Sequence, residues 1–345
     1  MNKSELIQKG TFHPLIISLL LLFIFGNSQA QEGVTWLRFE GKSGPGKGMH
    51  IVLVSGDDEY RSEEALPMMA KILSQHHGFT CTVLFAIEPE TGQIKPDYQN
   101  NIPGLEHLRE ADLMVLFTRF RELPDGQTKY FEEYLLAGKP IIGIRTATHA
   151  FHYGKYKTSP YFKYHWQNPE GPWKGGFGQK IFGETWVAHH GDHGKEGARG
   201  LPDGVQQLND HPILRGVRDI WVPSDVYSIK NLPAEAQVLI HGQSTQGMTA
   251  TAPLMWEKSV MPVAWTKNYQ IEGGKAGKAF VSTMGASIDL VSKDLRRMYV
   301  NAVYWSLGMG DQVKPDLNVE IVGNYDPSMF GFGTYRKGMK VGDFR

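Results

Sequence analysis

Four short apolar runs, each ending at a polar turn, limit what this chain can become. Met49–Gly56, Thr80–Ile87, Ala111–Thr118 and Pro140–Ile144 are rich in Val, Ile, Leu and Phe. Runs this short and this continuous read as strands buried on both faces of a parallel sheet. Between the first two, Glu63–His77 puts Leu66, Met69, Ala70 and Leu73 on one helical face. Ser62 is the expected N-cap, Glu63 and Glu64 complement the helix dipole, and Gly78 ends the helix. Leu105–Glu110 reads as a short helix. Pro124–Ala137 reads as a longer one, with Pro in its first turn and Gly138 just past its end. This alternation predicts an α/β fold with a parallel sheet covered by helices on both faces.

The regular alternation stops after Gly154. Residues 155–200 are rich in Gly, Trp, Tyr and His and read as a long insertion on the rim of the sheet, where binding and lid segments are found. Shorter strands are expected at Gln237–His241, Pro262–Trp265 and Ala279–Thr283. A last helix, Asp294–Leu307, carries an apolar face of Leu295, Met298, Tyr299, Ala302 and Val303. No internal repeat is visible. The expected organisation is one domain over 49–310, an extended lead-in over 31–48, and a Pro-, Gly- and Phe-rich tail over 311–345 that wraps the surface.

The first thirty residues read as a secretory signal. Lys3 and Lys9 precede the apolar or small run Leu15–Gly26, and Ser28-Gln-Ala30 offers small residues for cleavage near Gln31. That run is shorter than the about 20 residues a membrane span needs, so the expectation is an exported protein, bacterial periplasmic or extracellular, with no stable membrane insertion after cleavage. Net charge is zero, with 36 basic and 36 acidic residues, and no basic stripe interleaved with aromatics points to nucleic acid. The single Cys81 lies mid-strand and reads as a small apolar core residue. Without an internal disulfide, the fold must rest on its core.

In open parallel sheets, ligands sit outside the carboxyl ends of the strands. Four such ends carry polar clusters: Ser55–Ser62, Thr118–Pro124, Arg145–His149 and Thr283–Ser287. Asp57, Asp58 and Glu59 can bind a cation, orient a sugar or cap the helix that follows. Arg119 and Arg121 are two positions apart in an extended segment. One is expected to bind a carboxylate or sugar hydroxyl, the other to make an ion pair. Arg145 follows a buried strand and needs a partner: Asp57, Asp58, Glu184 or an anionic ligand. Six of the thirteen histidines fall between His149 and His193. His149, His152, His189 and His190 are the candidates for proton transfer or substrate polarisation. His149, His189, His190 and His193 are alternatively ligands for a divalent metal such as Zn²⁺, although no strong zinc spacing is present. Packing is the third reading. Tyr153, Tyr156, Trp166, Trp173 and Trp186 offer faces on which a sugar could stack.

Several segments together resemble the ThuA-like, trehalose-utilisation family: Lys139–Phe151, Trp186–Gly194, Ser224-Asp-Val-Tyr227, Pro262–Thr266 and Tyr304–Gly308. The resemblance spans roughly residues 49–310. It implies a fold similar to class I glutamine amidotransferases, a flavodoxin-like, doubly wound, mainly parallel sheet. It also implies a role in sugar catabolism, with a disaccharide or keto-sugar as ligand, and it adds Asp225 to Asp57, Asp58, Arg119, Arg145, Tyr153 and Trp186 as substrate-binding candidates. An amidotransferase needs a cysteine at the strand-to-helix elbow. Here the elbow reads Gly143-Ile-Arg-Thr-Ala-Thr-His149, so that activity is not expected. Thr146 and Thr148 are the hydroxyls available there, with no activating neighbour evident in sequence. Gly285-Ala286 stands where many relatives are expected to carry Gly-His. The competing hypotheses are a hydrolase, lyase or isomerase on a carbohydrate, a non-catalytic carbohydrate-binding protein, and a metal-dependent hydrolase. Homo-oligomerisation stays open.

Overall fold

The structure, a computed structural model, describes residues 33–201 and 211–345, which form one unit. The expected signal and cleavage point lie outside the described residues. Among those described, no helix is long and apolar enough to cross a membrane.

The strands are β1 (Trp36–Phe39), β2 (His50–Gly56), β3 (Thr80–Leu84), β4 (Leu113–Thr118), β5 (Ile141–Ile144), β6 (His189–His190), β7 (Ala198–Gly200), β8 (Trp221–Val222), β9 (Val226–Tyr227), β10 (Gln237–Ser244), β11 (Met261–Tyr269) and β12 (Gly277–Ser282). The α-helices are α1 (Ser62–His77), α2 (Asp125–Leu136) and α3 (Lys293–Ser306). Ten strands make one sheet in the order β1-β3-β2-β4-β5-β12-β11-β10-β7-β8. Its centre, β3-β2-β4-β5-β12, is parallel. Antiparallel strands extend it on both sides, so the sheet is mixed where a mainly parallel one was expected. The lead-in contributes β1, which pairs with β3 and covers an edge that would otherwise present unpaired backbone.

Strand alternation divides the core. Ile51, Leu53, Val115 and Phe117 pack with Leu66 and Met69 of α1 and with Leu295 and Met298 of α3. Val52, Val54, Met114 and Leu116 face the other way, toward Phe131 and Leu135 of α2 and toward Tyr164, Trp173 and Phe177 of the insertion. Burying each aliphatic side chain contributes about 1.5–3 kcal/mol, and truncating one, as in Leu53→Ala, costs about 2–5 kcal/mol. Cys81 is fully buried in the first of these layers, as expected, and burial pushes its thiol pKa far up. The insertion is mostly short turns, and it closes on the β5 elbow only because Gly178 has no side chain. A Cβ there would lie 1.8 Å from the Thr148 carbonyl oxygen.

Two local expectations change. Ser62 does not cap α1. The capping position is Arg61, in a left-handed conformation, while Ser62 Oγ accepts from the Gly56 and Asp57 amides at 3.2 and 2.9 Å. The tail over 311–345 does more than wrap the surface. Phe330 and Tyr335 are buried, and the Gly331 amide donates to the Glu59 carbonyl at 2.8 Å. That brings the tail to the carboxyl-end rim.

Candidate functional site

The loops after β2, β4 and β5 interlock through their backbones. The Phe120 amide donates to the His149 carbonyl and the Arg121 amide to the Ala150 carbonyl, at 3.1 and 2.7 Å. Among the described residues, the non-glycine residues with left-handed φ are Arg61, Phe120 and Arg145. All three lie on these loops. Such conformations cost on the order of 1–3 kcal/mol each and persist where surrounding contacts over-determine them, often at functional sites.

Arg145 occupies the strained elbow itself, at φ 43°. Its side chain is fully buried. Nη1 donates to Ser224 Oγ and to the Asp225 and Thr283 carbonyls, each at 2.8 Å. The nearest carboxylate is Asp289 at 3.8 Å, not Asp57, Asp58 or Glu184. The guanidinium lies 3.8 Å from the centre of the Tyr60 ring. Arg145 is therefore a pin that holds the Ser224–Asp225 segment, not a substrate contact. Asp57 is likewise internal. One oxygen accepts from the Glu59 amide at 2.7 Å and from the Tyr60 amide, and the other accepts the Thr146 hydroxyl. Burial, with Asp58 and Glu59 beside it, raises its pKa to about 6. That bond occupies Thr146, which is fully buried and cannot meet a substrate.

The exposed chemistry gathers around Asp225. Its side chain is buried, and its oxygens meet His189 Nδ1 at 2.5 Å and His193 Nδ1 at 3.0 Å. Burial alone would raise its pKa. The bonds from His189 and His193 and the charge of Arg145 outweigh that and hold the carboxyl well below the usual range. An ionised Asp225 accepts from His189 Nδ1–H, so His189 presents Nε2 outward as its reactive atom. His193 Nε2 lies 3.1 Å from Glu59 Oε1. Held between Asp225 and Glu59, its imidazolium is stabilised and its pKa rises to about 9.

His149 approaches from the β5 side. Its ring lies 5.6 Å from both Trp186 and Tyr227, and His189 lies 5.7 and 5.8 Å from the same two rings. The two imidazoles, 40 residues apart in sequence, thus share one set of walls. His149 Nδ1 is 3.2 Å from Thr148 Oγ1, whose own proton points to the Arg145 carbonyl. That chain places the His149 proton on Nδ1 and leaves Nε2 as an acceptor. Burial first, then the charge of Arg119, pushes its pKa well down, so it is a neutral imidazole near pH 7. Arg119 bonds Asp58 at 3.1 Å and lies 3.5 Å from Glu59. Its guanidinium is sandwiched between Phe120 and Phe332 at 4.4 and 4.7 Å.

Other candidates fall elsewhere. His190 is one residue from His189 on β6 and so faces the other way, beside Lys258 and Glu196. It leaves both the proton-transfer and the metal sets. His152 accepts from the Trp166 indole at 3.2 Å and packs on His165 and Phe120, with no contact to Asp225 among the described residues. Tyr153 is buried in the core with its hydroxyl 3.0 Å from Thr128 Oγ1, and Trp173 is also buried. Neither can stack on a ligand. Among the described residues Arg121 makes no ion pair; it donates to the Arg119 and Tyr98 carbonyls. Among the described residues, those able to hold a metal are His189, His193 and Asp225, whose donor atoms lie within 4.8 Å of one another. His149 is not in that set. Sequence reasoning missed Phe330 and Phe332. Phe330 stands 5.4 Å from His193 and 5.5 Å from Tyr60, but nothing in a Gly- and Phe-rich tail marks it as a site wall.

Comparison with known proteins adds the following. No curated protein matches the chain. Solved structures to which the chain is similar include a ThuA-like protein from Bacteroides uniformis, with 12% identity, 81% of this chain and 100% of that chain covered, and a TM-score of 0.45. A ThuA-like protein from Parabacteroides merdae gives 14% identity, coverage of 83% and 98%, and a TM-score of 0.45. At these scores the likenesses carry no argument about the site. The family model described as "Trehalose utilisation" matches residues 51–306, most of the chain and all of the interlocking loops except the tail. The chain belongs to the ThuA family, which gives it a carbohydrate-related role.

Proposed function

We propose that the protein is an exported enzyme that moves a proton on a carbohydrate substrate, a disaccharide or keto-sugar, on a flavodoxin-like scaffold. The parallel strand order β3-β2-β4-β5-β12 supports that scaffold, since it is the 2-1-3-4-5 order of doubly wound folds whose ligands bind at the carboxyl-end crevice. The observation that carries the reading is the Asp225–His189 pair. A buried, ionised carboxylate on Nδ1 fixes the tautomer and orientation of a half-exposed imidazole and turns Nε2 toward substrate. His149 Nε2, kept neutral by burial, is the second proton acceptor on the same walls. His149, kept neutral, and His193, held as the imidazolium, differ in protonation because of their surroundings, which is how one site performs acid and base steps near pH 7. Asp58 and Arg119 line the approach and suit sugar hydroxyls. Product analysis on a panel of oxidised and unoxidised disaccharides tests this. His189→Ala and Asp225→Asn should each lower turnover by about 10²–10⁴, and wild-type turnover in both variants refutes it.

A second reading places a divalent ion on His189, His193 and Asp225. It is favoured by Glu59 on the second nitrogen of His193, the outer-shell carboxylate that ligating histidines commonly have. One distance favours the first reading. Two ligands each about 2.0–2.1 Å from a tetrahedral Zn²⁺ sit ~3.3 Å apart, whereas His189 Nδ1 and Asp225 Oδ2 are 2.5 Å apart. A shared proton suits that separation, whereas an ion held by these two atoms would need them about 0.8 Å further apart. Stoichiometric Zn in protein purified without added metal would reverse the choice.

A further inference from the structure

Trp186 also lines an open cleft of about 760 Å³ formed by the insertion and Asn231, toward the upper end of the 300–1,000 Å³ typical of ligand sites. Trp166 and Trp186 stand 5.8 Å apart, and both line it. Trp186 is also in contact with His189, so the cavity begins one indole away from the imidazole assigned above to proton transfer. No carboxylate lines it, and Lys174 is its one charged lining residue.

Three of the four side-chain amides in the lining, those of Asn168, Gln179 and Asn231, are arranged in one sense. Asn168 Nδ2 donates to the Trp173 carbonyl at 2.9 Å, Gln179 Nε2 to the Gly183 carbonyl at 2.8 Å, and Asn231 Nδ2 to Glu184 Oε1 at 3.2 Å. Glu184 is buried and also accepts from the Lys230 and Asn231 amides at 2.6 and 2.7 Å, which fixes the Asn231 segment. Each amide thus commits its donor end to the protein. Among the described residues, nothing bonds Asn168 Oδ1, Gln179 Oε1 or Asn231 Oδ1.

Three acceptor oxygens held in place, two indole faces and a single ammonium describe a particular ligand. Acceptors take hydroxyl protons, and indole faces take the apolar face of a saturated ring. A phosphate or polycarboxylate carries more negative charge than the single Lys174 ammonium would balance, and an organic cation would need a carboxylate. We propose that this cavity is a subsite for a neutral sugar ring of a substrate whose reacting ring lies at His189, so that the substrate is a glycoside of at least two rings. This rests on the reading of His189 and Asp225 as the reacting centre.

The test is calorimetric titration of the full protein with maltose, cellobiose and trehalose as two-ring probes and glucose as the one-ring probe. At least one two-ring probe should bind about tenfold tighter than glucose, the ratio that one good hydrogen bond supplies. Val187→Trp obstructs the cavity at an exposed lining position without removing any of the bonds above. It should abolish that advantage, and Asn168→Leu should reduce it about tenfold. Two-ring probes that bind no better than glucose, including the case where none binds, overturn the proposal. So does an advantage that survives in a folded Val187→Trp variant. His189→Ala separates the two readings. Two-ring binding retained with turnover lost supports both, and binding retained with turnover unchanged removes the reacting centre while leaving the subsite.

Discussion

Replacing Glu63 with Gln should stabilise the protein, and by an amount that depends on pH. Glu63 lies in the first turn of α1, where a negative charge is normally welcome. Yet it is 3% exposed, and neither carboxylate oxygen has a hydrogen-bond partner. Burial, with smaller opposing contributions from the helix backbone and Arg61, raises its pKa from 4.5 to about 8. Below pH 4.5 the group is protonated in both the folded and unfolded states and costs nothing. Between 4.5 and 8 the unfolded chain gains stability by ionising while the folded chain does not. The penalty therefore grows with pH and levels off above about 8. At 1.36 kcal/mol per pKa unit, the shift from 4.5 to about 8 sets an upper bound of about 5 kcal/mol, and about 3 kcal/mol at pH 7. Relaxation around the charge will leave part of this. Glutamine keeps the shape and cannot ionise. Denaturant titrations of both proteins from pH 4.5 to 9 should show near-equal stability at the acid end and a widening advantage for Glu63→Gln above it. A constant difference across that range, or a variant less stable at pH 8, refutes the reasoning.

Two other perturbations follow from the site. Histidine NMR should find His193 charged through pH 8, with its titration near 9; its stabilising contribution is complete below about 6.5 and is lost as pH rises through 9. Glu59→Gln should move that titration down, and no movement would remove Glu59 from the network. Arg145→Lys keeps the charge but cannot reproduce three Nη1 bonds and a ring contact at a fully buried elbow. Breaking such a network costs about 3–5 kcal/mol, read as a large fall in Tm, and a Tm within a degree or two of wild type would contradict its role as a pin.

Much of this architecture was legible from local pattern. The central strands announced themselves because both their faces are buried, and α1 and α3 because their apolar spacing is helical. The antiparallel extension was harder to see. β7 and β8 at its edge, and β6 and β9, which pair with each other in a separate two-stranded sheet, are two or three residues long, too short to show any period. In the site, the loops were legible because polar clusters after buried strands have few other uses, but the direction of each side chain was not. Asp57 and Arg145 look like ligand-binding residues in sequence and turn inward, because strained loops need internal donors and acceptors. His189 and His190 are equivalent as letters, and only the pairing of β6 with β9 sends one to Asp225 and the other to Lys258 and Glu196. The aromatic wall from the tail depends on contacts spanning more than 130 positions, such as Phe330 on His193, and no local signal encodes them.

That adjacent pair supplies the most direct test. Turnover of His189→Ala and His190→Ala should be compared on the same disaccharide, with Tm as the control for folding. If Asp225 organises the reacting centre, His189→Ala falls by about 10²–10⁴ and His190→Ala stays near wild type. Loss at His190 with activity retained at His189 would mean that the reactive face of β6 is the other one.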